Sequence, residues 1–156
     1  MPNIHPPLQE EQIEVLKVLY PWYKEEVFRR REQMMHLTAF ACAFHVLLLI
    51  TMLAFQQGPK PHVTMAVFAI TGVTLFSALF GYLIIQQRNR HRMAKDVLIE
   101  IERVLGLYDN GLYLLNRTLY PDNWQIAHLS DRSVTVYLTV LAALTVLVIA
   151  AVLLRP

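Results

Sequence analysis

Three stretches of this sequence contain no Asp, Glu, Lys or Arg: Leu37–Phe55 (19 residues), Val63–Ile85 (23) and Val134–Leu154 (21). As helices rising ~1.5 Å per residue, each can cross a hydrocarbon core of ~30 Å. The remaining composition agrees, with 55% hydrophobic and 17% charged residues, against about 45–50% and about 25% in soluble domains. A soluble globule, a disordered chain, a disulfide scaffold and a free nucleic-acid-binding protein are excluded on these grounds. The formal charge of +2 gives no reason to expect a polyanionic partner, and the single cysteine, Cys42, cannot close an intramolecular disulfide.

The fold class expected is all-α: an integral membrane protein with three transmembrane helices and a cytoplasmic helical layer. Residues 1–8 are proline-rich and read as irregular, and 9–35 as cytoplasmic helices. Spans follow at 36–56, 63–86 and 134–154, with an outer turn at 57–62 and a cytoplasmic helical connection at 87–133. The loop charges set the direction of threading. If the spans alternate, 12 of the 14 Lys and Arg residues fall on one side, in 1–36 and 86–133. The positive-inside bias then places the N-terminus in the cytoplasm and the C-terminus outside, in a plasma membrane and most naturally a bacterial inner one. The first 35 residues hold six Glu and five Lys or Arg. That is no secretory signal, so the first span reads as an uncleaved signal anchor.

Finer features follow from pattern. Ile13, Leu16 and Tyr20 give 9–20 an amphipathic face, and Pro21 is expected to interrupt it and open a new helix. Gly58-Pro59-Lys60-Pro61 reads as the outer turn. The second span should begin near His62 and run on into the cytoplasm, because no breaker follows it. Val97, Ile101, Val104 and Tyr108 recur at 4, 3 and 4 residues, a seam for helix packing or oligomerisation. Asp109-Asn110-Gly111 is the expected stop. Residues 112–120 are apolar but too short to span, a short helical turn is expected around Trp124–His128, and Ser130 or Asp131 should cap the third span.

The candidate sites are few. His45 lies mid-span, where a polar side chain is costly and therefore a functional candidate. Thr38 and Cys42 share its face, and Thr71, Thr74, Ser77 and Thr139 supply hydroxyls at similar depth. His45, Cys42, Thr38, Thr71, Thr74 and Ser77 form a possible intramembrane polar site. It would be a proton relay, a pore lining, a haem ligand at His45, or simply an imidazole bonded to a threonine. His36 and His45 are nine residues apart and face different sides, so they cannot share a metal. Ser77 and Gly81 form a small-x-x-x-small pair that permits close helix approach. Arg29, Arg30 and Arg31, with Arg88, Arg90, Arg92 and Lys95, are juxtamembrane and suit lipid headgroups or another anion.

No phosphate loop, metal-ligand spacing, cysteine pair or nucleophile elbow occurs, so no catalytic or metal-binding residues and no resident cofactor are expected. The layout resembles small bacterial membrane effectors in arrangement, without shared motifs. The function expected is non-enzymatic: an accessory or scaffold subunit of a membrane complex, with membrane lipid and protein partners or self-association. The alternatives are a homo-oligomeric channel or membrane-disrupting effector, and a redox or proton-handling subunit that uses His45.

Overall fold

Long runs of helix formers, broken by few glycines or prolines, leave the chain little choice but helix. The computed structural model describes residues 10–54, 62–125 and 132–154. Helix α1 runs Glu10–Ala54, α2 Val63–Val104 and α3 Ser133–Leu153, and one 3-10 turn, Asp122–Gln125, lies between α2 and α3. Among the described residues there is no β-strand, only an isolated bridge between Leu114 and Arg117. The expected outer turn, the irregular N-terminus, residues 126–128 and the caps Ser130 and Asp131 lie outside the described residues. The residue at the N-cap of α3 is Arg132, whose side chain makes no capping bond.

Two boundaries differ from expectation. Pro21 does not break α1, which continues through it. The proline removes one rung of the hydrogen-bond ladder, but its ring holds φ near −65°, which is already helical. At the other end, α2 stops before Asp109. Gly106, at φ +70°, takes the left-handed cap. Its N–H donates to the Arg103 carbonyl at 3.0 Å, and that of Leu107 donates to the Glu102 carbonyl at 3.0 Å. This pair is a Schellman closure, so Tyr108 lies beyond the helix. A Cβ at Gly106 would meet the movable tip of Leu112 at 2.5 Å, but it is the left-handed backbone angle that demands glycine.

All three helices are long and apolar enough to cross a membrane. Within their most apolar windows only 17%, 6% and 11% of residues are buried. Phe68, Leu75, Val146 and Leu153 are among many large side chains left exposed. Apolar surface on that scale is costly in water, at about 25 cal/mol per Å². Hydrocarbon removes the cost, which is the physical reason these helices suggest a membrane protein.

The chain divides into two compact units. The apolar unit, 32–88 with 132–156, is organised by one repeating interval. Helix α1 buries Met34, Thr38, Ala41 and His45, at spacings of 4, 3 and 4. Helix α2 turns Val73, Ser77, Phe80 and Ile84 inward at the same spacings, and α3 does so with Val134, Leu138, Leu141, Thr145 and Val148. This is the knobs-into-holes interval of helices packed at shallow angles. Met34, Ala41, Ile84, Val134 and Leu141 form its core. Phe40, Phe44, Phe76 and Phe80 interleave along α1 and α2, with centroids 4.3–5.7 Å apart in the contacting pairs. A Cβ at Gly81 would meet Leu138 Cδ2 at 3.8 Å, an ordinary contact, so the Ser77–Gly81 pair does not mark an unusually close helix approach.

The polar unit comprises 1–31 and 89–131. Leu98, Ile99, Ile101 and Tyr108 are buried in it, together with the polar His91 and Glu102. The buried face is rotated from the expected seam, since Val97 and Val104 remain 40% and 44% exposed. Residues 112–120 form no helix. They make a tight turn, with Asn116 at φ +56°, that leaves Leu112, Tyr113, Leu114 and Leu115 exposed.

Candidate functional site

His45 is fully buried. Its Nδ1 lies 2.8 Å from the Ala41 carbonyl oxygen. A carbonyl can only accept, so Nδ1 carries a hydrogen and donates it. Nε2 lies 2.9 Å from Ser77 Oγ and 3.3 Å from Thr145 Oγ1, and those two oxygens are 2.7 Å apart. One assignment of the hydrogens is a directed chain in which Thr145 donates to Ser77, Ser77 to Nε2, and Nδ1 to Ala41, with every hydrogen used and no charge required. The hydroxyls also lie 2.8 Å from the Val73 and Leu141 carbonyls, a second place for the same hydrogens. One residue from each of α1, α2 and α3 thus meets in a closed polar knot.

The other members of the expected intramembrane site lie elsewhere. Thr38 is buried, but its hydroxyl donates to the Met34 carbonyl at 2.8 Å. Cys42 is half-buried beside the seam. Thr71, Thr74 and Thr139 face outward, and Thr74 donates to the Ile70 carbonyl. The hydroxyls at the imidazole come from Ser77 and from Thr145, which the sequence reading missed. A haem iron at His45 would have to take Nε2 from Ser77. His36 is exposed and lies 3.5 Å from Glu32.

The polar unit holds a second knot, centred on the buried carboxylate of Glu102. Tyr108 donates to one of its oxygens in a short hydrogen bond. Tyr20 donates to the other at 3.5 Å, and its hydroxyl lies 2.8 Å from that of Tyr120. The rings of Tyr108, Tyr120 and Trp124 follow one another beside it, the first pair edge-on and the second tilted. Burial, and then the hydrogen bond to Glu102, push the Tyr108 hydroxyl above the ordinary phenol range. Tyr20 is pushed the same way, first by burial and then by its bond to Tyr120.

Beside this knot lies a cavity of about 340 Å³. Lys24, Arg31 and Lys95 line it, with Glu102, Tyr108 and Trp124 on the same wall. His91 also contributes, with Nδ1 donating to the Val27 carbonyl at 3.1 Å. Of the expected anion contacts, only Arg31 and Lys95 reach this cavity. Arg29 and Arg30 pair with Glu25 and Glu26 one turn back along α1. Arg90 is exposed, while Arg88 and Arg92 are half-buried. Lys24 was not anticipated, because a single lysine on an amphipathic helix carries no signal of its own.

Comparison of the chain with protein-family models, curated proteins and solved structures finds no match.

Proposed function

We propose that this chain is a non-enzymatic integral membrane subunit that serves as an accessory or scaffold component of a larger complex. Its N-terminus and polar unit would face the cytoplasm, and its C-terminus the outside. The observation that carries the reading is the closed knot at His45. His45, the one histidine within the three charge-free stretches, spends both ring nitrogens on bonds inside the chain. Such a group holds helices in register and leaves no open valence for a substrate. Arg29, Arg30 and Arg31 support the orientation, since they stand where α1 enters its charge-free stretch.

The test is purification of the tagged chain from its native membrane in mild detergent. A scaffold subunit brings down partners in fixed stoichiometry, and a lone monomer overturns the reading. A reporter fused after Pro156 should be active only outside the membrane, and one active only inside overturns the orientation.

One observation favours a second reading, a homo-oligomeric channel. Thr71, Thr74 and Ala78 are all exposed along one side of α2, a small and polar stripe that copies of the chain could turn toward a shared lumen. That reading expects conductance in planar bilayers that Thr74→Leu reduces. Silent bilayers with well-reconstituted protein remove it.

A further inference from the structure

The basic cavity of the polar unit is not used by the scaffold reading. Lys24, Arg31 and Lys95 converge on it, and among the described residues no carboxylate pairs with any of them. In the same unit Arg29, Arg30 and Arg103 are instead each bonded to a glutamate. The lining includes one carboxylate, Glu102, and both of its oxygens accept from tyrosine hydroxyls rather than from these cations. Three cations held around one space repel each other unless an anion joins them. Set against the single carboxylate, they leave the wall with a net charge of +2, His91 being counted neutral.

We propose that this cavity is a binding site for a phosphomonoester carrying an apolar or aromatic body. The charge selects the class, because a phosphomonoester bears about −1.5 to −2 at pH 7 and presents three strong acceptor oxygens. Arg31 supplies a planar fork of donors, and Lys24 and Lys95 supply mobile point charges. Trp124 and Tyr108 offer ring surface to the body of the ligand, and Leu98 and Ile99 offer an apolar floor. The volume falls in the range of small-molecule sites, about 300–1,000 Å³. The same chemistry arrives from two sources, the headgroup of phosphatidic acid or a soluble phosphate ester.

The experiment uses the full chain in phosphatidylcholine nanodiscs, with Trp22→Phe so that Trp124 alone reports by fluorescence. One arm titrates phenyl phosphate. The other replaces part of the phosphatidylcholine by phosphatidic acid, with phosphatidylglycerol as the diester control. A saturable Trp124 response in the first arm supports the proposal with a soluble source. A response to phosphatidic acid that phosphatidylglycerol does not reproduce supports it with a lipid source. Each single variant Lys24→Gln, Arg31→Gln or Lys95→Gln should weaken binding about tenfold, the size of one charge-assisted hydrogen bond. Glu102→Gln keeps one acceptor oxygen, enough for Tyr108, and leaves Tyr20 its partner Tyr120, while it removes the opposing charge, so it should tighten binding about threefold. A change that merely disturbed the fold would weaken it. No saturable response in either arm, equal response to both anionic lipids, or binding unchanged in all three cation variants overturns the proposal. None of these outcomes bears on whether the chain has protein partners.

Discussion

Each unit is pinned by one buried polar knot, and the two knots use different chemistry. In the apolar unit an imidazole and two hydroxyls join α1, α2 and α3 in a set of hydrogen bonds that needs no formal charge. In the polar unit a carboxylate gathers three phenols from α1 and the segment after α2. The difference follows from solvent. A charge far from water is costly unless its partner is equally well placed. A neutral chain of hydrogen bonds escapes that cost but contributes only a modest amount per bond. Near water a carboxylate can be kept, and its bonds are then the stronger kind.

The comparison predicts an order of effects. The largest belongs to Glu102→Leu, which leaves the Tyr108 hydroxyl without its acceptor and should cost about 2–3 kcal/mol. Segment-resolved hydrogen exchange in nanodiscs should show the loss in 10–31 and 89–125. The same knot sets an alkaline limit. The folded state holds the Tyr20 and Tyr108 protons above their ordinary value of 10.0. Above that pH the unfolded chain therefore binds fewer protons than the folded one, so stability is complete below about pH 10 and falls as pH rises further. Tyr108→Phe should flatten that decline in an alkaline titration followed by circular dichroism, and an unchanged slope would show that the phenol is not responsible. The smallest effect is expected from His45→Leu, at about 1 kcal/mol, since Ser77 and Thr145 can still bond each other and their own helix carbonyls. If His45→Leu destabilises the chain more than Glu102→Leu, the comparison fails.

How much of this was legible depended on contrast within the sequence. Charge-free stretches stand out against charged flanks, so the helices and their limits near His62 and Ser133 could be read directly. Inside those stretches nearly every residue is apolar, so no polar face marks which side turns inward. The interval Val134, Leu138, Leu141, Thr145, Val148 is visible once the packing is known and silent before. The sequence therefore offered Thr139 as a partner for His45 and gave no sign of Thr145, and only the packing shows which of the two meets the imidazole. In the polar unit the pattern at Val97, Ile101, Val104 and Tyr108 is met in part, since Ile101 and Tyr108 are buried while Val97 and Val104 are exposed. Leu98 and Glu102 join Ile101 on the buried face, and Tyr108 returns to it from beyond the cap.

The sequence by itself determined that three helices form and that each carries a stretch fit for hydrocarbon, because backbone hydrogen bonding and the absence of charge are local properties of the chain. Only the tertiary structure decided which hydroxyls meet the imidazole, which carboxylate the tyrosines share, and which three of many cations surround one cavity. Those outcomes depend on the rotation of each helix about its axis. That rotation is settled by side chains far apart in sequence, packing at a common interval.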